Sequence, residues 1–189
     1  SIAADKVFKR AFLIDGVLAI NGFEYNFTED AREAQSLSQV TTAMLESFFE
    51  GHFPAHPYFS QVIRMKEVST LVSDFFSGAR PTLDEVQWLA ATYAQPLGLV
   101  EKQGEVFVPA GTEQLAELPL VQEVLATLDD DRESTPLEAV FARLGVAPYG
   151  LVREATYLLM AAMAGARSVE FVTTSGDRIN RRSMDLKII

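Results

Sequence analysis

Cysteine is absent from the 189 residues. That absence excludes disulfides, thiolate zinc sites and cysteine nucleophiles, and it fits a cytoplasmic setting. Long apolar runs are absent too: no stretch approaches the roughly 20 residues that a membrane-spanning helix needs. The N-terminal Ser1–Arg10 has neither a signal-peptide core nor a starting methionine. The other end stops within the apolar Leu186–Ile189, so the chain is expected to be a fragment of a longer protein. Basic residues are scarce, 16 against 26 acidic ones, for a net charge of −10. Phosphate backbones repel such a chain, which disfavours general nucleic-acid binding.

What remains is ordinary globular material. The chain is 48% apolar, 22% charged and 10% aromatic, values that exclude a disordered or low-complexity chain. The length suffices for one sizeable core, or for small units that share one. Charge is uneven: residues 151–189 carry six basic and four acidic groups, a net of +2, leaving −12 on residues 1–150.

Turn chemistry organises the first 27 residues. Asp15-Gly16 and Asn21-Gly22 suit two-residue type I′ turns between short apolar runs, which predicts a three-stranded meander. Thr28 caps a short turn of helix. A helix then spans about residues 38–50, with Val40, Met44, Leu45, Phe48 and Phe49 on one stripe and Gly51 as its stop. His52–Phe59 reads as a Pro-stiffened connection. Ser60 caps a helix whose apolar positions run from Val62 to Phe76, with Gly78 ending it. Thr82 and Glu85 form a capping box for a helix that stops at Gln95-Pro96. Leu97–Val100 and Glu105–Val108 pair as a hairpin around Lys102-Gln103-Gly104.

The order recurs in longer form. Leu115–Leu128 is expected to be helical despite Pro119, and Asp129–Ser134 is a charged loop. Thr135-Pro136-Leu137-Glu138 is a second capping box with proline at the first helical position. That helix ends at Gly145, Tyr149–Ala164 forms the next with Gly165 as its stop, and Val169–Thr173 pairs with Arg178–Ser183. The expected fold is α+β and mainly helical. A β-meander, helix and connector (1–58) precede two winged helix-turn-helix units with short hairpin wings (59–111 and 112–189).

Candidate chemistry is sparse. Gly145–Val152 has the glycine spacing of a phosphate loop, but Leu151 and Val152 stand where Lys and Ser/Thr are needed, so nucleotide binding is rejected. His52 and His56 are separated by Pro54, share no helix face and have no evident third ligand, so no metal is expected. Asp129-Asp130-Asp131 lacks the alternate spacing and glycine of a calcium loop. The last helix is too apolar to read bases, which requires polar side chains in the major groove. Arg167, Arg178, Arg181 and Arg182 are the candidate nucleic-acid contacts, meeting phosphates without reading sequence. The competing reading has these arginines solvated or paired with neighbouring acids. No catalytic residue and no cofactor is assigned.

Two resemblances bear on function. Phe48–Pro57 resembles the active-site segment of the hot-dog hydroxyacyl-thioester dehydratases, which implies His52 as a catalytic acid–base paired with a distant carboxylate. The match ends where those enzymes carry Pro-Gly and this chain has Ser60-Gln61. The stretch from Pro148-Tyr149-Gly150-Leu151 to Arg182, with the connector Phe53-Pro54-Ala55-His56-Pro57-Tyr58-Phe59, resembles a recurrent region of very large bacterial phage-defence ATPases, of the BREX and phage-growth-limitation type. That resemblance covers most of residues 48–189, while the family's ATP-binding motifs match nothing here. It implies a non-catalytic winged-helix region of a cytoplasmic ATPase that docks protein partners, with weak, non-specific double-stranded DNA contacts through a wing and no membrane. A stand-alone transcription-type DNA-binding module is the alternative, and the dehydratase a more distant one.

Overall fold

The computed structural model describes residues 7, 11, 17–20, 23–128 and 134–179. Two units separate, residues 1–54 and 55–189. In the first, β1 (Leu18–Ile20) and β2 (Phe23–Tyr25) are antiparallel with Ile20 opposite Phe23. That register leaves a two-residue connection, the length the Asn-Gly dipeptide favours. Asn21 and Gly22 themselves, and the expected preceding strand with its Asp15-Gly16 turn, lie outside the described residues.

Helix α1 (Glu29–Glu33) starts as the sequence predicts, with Thr28 Oγ1 accepting the Ala31 N–H at 3.2 Å. Helix α2 (Leu37–His52) is capped by Ser36 Oγ, which accepts the Gln39 N–H at 3.3 Å. It does not stop at Gly51. Phe53 N–H still reaches Phe49 O at 2.7 Å, and the helix ends at His52, because Phe53, the residue before Pro54, is disfavoured in α geometry and serves as the cap. Of the expected stripe, Val40 and Met44 are buried, whereas Leu45 is 39% and Phe49 52% exposed. Three-residue strands cover only one side of a helix that is apolar on two. Ala31, Ala34, Val40 and Met44 form this unit's small core.

The second unit has one larger core. Helix α3 (Met65–Thr70) starts after Arg64, not at Ser60, and continues as a π-helical segment, Leu71–Phe76. Wider π winding buries Leu71, Val72, Phe75 and Phe76 together, and Gly78, at φ 81°, follows its end. Helix α4 (Asp84–Leu89) runs into a second π segment, Ala90–Ala94, and stops before Pro96 as expected. The Thr82 capping box does not form: Leu83 takes the cap position, and the Gln87 amide donates to Pro81 O at 2.7 Å. Strands β3 (Val100–Gln103) and β4 (Val106–Pro109) pair with Gln103 opposite Val106. The turn is therefore Gly104-Glu105, later than expected, because Gly104 adopts φ 63°.

The expected single helix over Leu115–Leu128 is two, α5 (Thr112–Glu117) and α6 (Pro119–Thr127). Leu118 breaks them at ψ 128°, the extended geometry that a following proline imposes. Residues 129–133 of the expected charged loop lie outside the described residues. In α7 (Leu137–Leu144) Pro136 is the N-cap, not the first helical residue, and a proline has no side-chain oxygen to build a capping box. Helix α8 (Arg153–Gly165) starts after the expected Tyr149, because Gly150 at φ 60° and the Leu151 N–H bonded to Leu144 O at 2.8 Å hold a turn there. Strand β5 (Phe171–Val172) is shorter than predicted; β6 begins at Arg178 as expected and is described over Arg178–Ile179, and the rest of that expected strand, from 180 onward, lies outside the described residues.

Most of α8 is buried, including Leu158, Leu159 and Met163, and it packs against α3, its π extension and α7. Buried residues before and after position 111 belong to the same core. The fold is α+β and mainly helical, with three separate antiparallel hairpins among the described residues. Among those residues no helix is long and apolar enough to cross a membrane.

Candidate functional site

The C-terminal arginines were the sequence's candidates for a phosphate contact. Arg167 follows α8 with φ 62°. Its N–H donates to Ala164 O at 3.1 Å and the next amide, Ser168, donates to Met163 O at 2.8 Å. This pair of bonds is a Schellman closure, which places Arg167 at the left-handed position usually held by glycine. The side chain is exposed. Arg178 lies on β6, and its Nη1 donates to Glu170 Oε2 at 2.8 Å. Both partners are mostly exposed, so the pair contributes at most about 1 kcal/mol. Arg181 and Arg182 lie outside the described residues.

Three other arginines of this unit are engaged as Arg178 is. Arg80 forms a bidentate pair with Asp74 at 3.0 and 3.1 Å. Arg143 pairs with Glu123 at 2.6 Å. Arg153 pairs with Glu138 and also sits 4.7 Å from the centre of the Phe141 ring. Each pairing lowers the positive charge that this surface offers to a polyanion.

The histidines separate. His56 Nδ1–H donates to Tyr149 O at 2.7 Å, and the adjacent Ala55 N–H donates to Pro148 O at 3.0 Å. The connector is thus fastened to the Pro148-Tyr149-Gly150-Leu151 turn; the two motifs the sequence singled out touch. His52 is the last residue of α2, stacked on Phe48 at 5.3 Å and edge-on to Phe53 at 4.7 Å. Among the described residues no three His, Asp, Glu or Cys side chains cluster as metal ligands. The described strands are two to four residues long, far short of the curved strands a hot-dog sheet needs.

A cleft the sequence did not disclose lies within the first unit. It is about 330 Å³ and is lined by Tyr25 and Asn26 from the end of β2 and by Met44, Ser47, Phe48, Gly51 and His52 from α2. Tyr25 meets Phe48 edge-on at 5.4 Å. The aromatic contacts continue outward, Phe48 to Phe49 at 5.7 Å and Phe49 to Phe53 at 5.8 Å. The i, i+4 spacing of Phe48 and His52 was available as a stacking signal. The approach of Tyr25, distant in sequence, was not.

No family model, curated protein or solved structure matches this chain.

Proposed function

We propose that this chain is a non-catalytic interaction region of a large cytoplasmic phage-defence ATPase, built of winged-helix-type units, that docks protein partners. The observation that carries the reading is the burial of α8. Ala155, Thr156 and the run Leu158–Ala164 are buried, and a helix so placed cannot enter a major groove. The pairing of Arg80, Arg143, Arg153 and Arg178 with carboxylates points the same way. The order helix, helix, hairpin, seen in α3–α4–β3–β4 and again in α7–α8–β5–β6, supports the winged-helix description.

Salt-dependent binding to a labelled non-specific duplex tests the choice of partner. Each neutralised phosphate contributes about −0.9 to the log–log slope. The expected result is no binding at low salt. A slope of roughly −2 or steeper, abolished in the Arg178→Ala/Arg181→Ala/Arg182→Ala variant, would overturn protein docking in favour of DNA-backbone contact through the last hairpin.

A further inference from the structure

We propose that the cleft between β2 and α2 is an anchor pocket for one aromatic side chain, presented by a basic segment of a partner protein. Its walls are π faces and edges, Tyr25, Phe48 and His52. Its polar groups include the neutral hydrogen-bonding side chains of Asn26 and Ser47, and among the described residues no carboxylate or ammonium lines it. Aromatic rings bind such walls in edge-on and offset-stacked geometry. Gly51 lines its open side, where an added Cβ would meet nothing within 4 Å.

Two features select a peptide over a free small molecule. Ser47, Gly51 and His52 are exposed, so the cleft cannot enclose a ligand as small-molecule pockets do. Beside it on the same helix, Leu45 and Phe49 are 39% and 52% exposed, so a chain leaving the pocket has apolar surface to cover. An aromatic anchor in a central pocket with such surroundings is the usual arrangement of an interface hot spot.

Charge sets the partner's sign. The first unit, residues 1–54, carries eight carboxylates, Glu46 and Glu50 of α2 among them, against four cations, a net charge of −4. A segment with Lys or Arg beside its aromatic residue is attracted to this surface, and an acidic one is repelled. The inference goes beyond the docking reading above by naming a site and a partner chemistry. The duplex experiment reads the second unit and the one below reads the first, so each fails separately.

The probe is an amide-capped pentapeptide, Lys-Lys-Trp-Lys-Lys, titrated into the full 189-residue chain with backbone-amide NMR as the readout. Shifts are expected at Ser47, Phe48, Gly51 and His52. Replacing the peptide's tryptophan by alanine, or its lysines by glutamates, should weaken binding about tenfold, equivalent to about 1.4 kcal/mol. Gly51→Leu should crowd the open side of the cleft and weaken binding at least as much. The same change improves helix propensity by up to about 1 kcal/mol, so melting by circular dichroism keeps misfolding from passing as a blocked site. Gly51→Ala, which adds only a methyl group, should retain binding. No shifts at about 5 mM peptide, a range that would detect even millimolar affinity, overturn the proposal. So do equal affinity for the alanine peptide, or binding unchanged by Gly51→Leu. Concentration-dependent shifts at these residues without peptide would assign the pocket to a second copy of the chain and overturn the basic partner.

Discussion

Removal of the Gln87 side chain should loosen the β3–β4 hairpin more than any surface change nearby. Gln87 lies on α4, half-buried. Its Oε1 accepts the Phe107 N–H at 2.6 Å, and its Nε2 donates to Phe107 O at 2.9 Å and to Pro81 O at 2.7 Å. One amide thereby stands in for a neighbouring strand along the outer edge of β4. Each bond contributes about 0.5–1.5 kcal/mol net. The site is part-buried, so water replaces some of the loss, and we expect Gln87→Ala to destabilise by about 2 kcal/mol. In a domain of this size that lowers the melting temperature by roughly 6–10 °C. Gln87→Glu should be at least as harmful at neutral pH, because a carboxylate then faces the Phe107 and Pro81 carbonyls. The variant should recover on acidification, because the protonated acid regains a donor. The assays are urea unfolding of both variants at pH 7 and about pH 4, bracketing the usual glutamate range, and hydrogen exchange at Phe107. A loss below about 0.5 kcal/mol with unchanged Phe107 protection would refute the clamp.

Three further predictions test the packing. Gly98→Ala should cost more than Gly104→Ala by denaturant unfolding: both glycines have positive φ, near 73° and 63°, but only at Gly98 does a Cβ meet Leu118 Cδ2, at 2.8 Å. The shared backbone penalty is about 1 kcal/mol, so equal losses would refute the close approach. Burial, then the charge of Glu67, holds the Tyr93 hydroxyl above the usual tyrosine range, with Arg64 pulling the other way. Its contribution is full below about pH 10 and is lost as pH rises through the raised value, so alkaline melting should be less steep in Tyr93→Phe than in the parent. Arg178→Ala should change stability by less than about 1 kcal/mol; a larger loss by thermal melting would show that its pair with Glu170 organises the last hairpin.

Local chemistry was legible wherever one or two neighbouring residues decide the outcome. The cap at Thr28, the stop before Pro96 and the end of α7 at Gly145 follow from side-chain oxygens, proline and glycine acting within a single turn. Where two local signals competed, the sequence reading failed in identifiable ways. At Gly51 the helix outlasted its glycine because the ladder bond from Phe53 was still available. At Pro119 the expected continuous helix broke, because the residue before proline avoids α geometry. Thr82 and Thr135 looked like caps by spacing, yet the cap positions are Leu83 and Pro136.

The sequence by itself determined the element types, the exclusion of thiol chemistry, and the acidity that argues against polyanion binding, because composition and short-range periodicity suffice for each. Only the tertiary structure decided which residues stand together. Burial on nearly every side of α8 depends on elements up to about 90 positions earlier in the chain. The engagement of Arg178 by Glu170 depends on the hairpin's register. The meeting of Tyr25 with Phe48 depends on a helix folding back over a two-stranded ribbon. Periodicity records which face of an element is apolar; what covers that face, and what is left open as at Phe49 and the cleft beside it, is settled by the packing of distant segments.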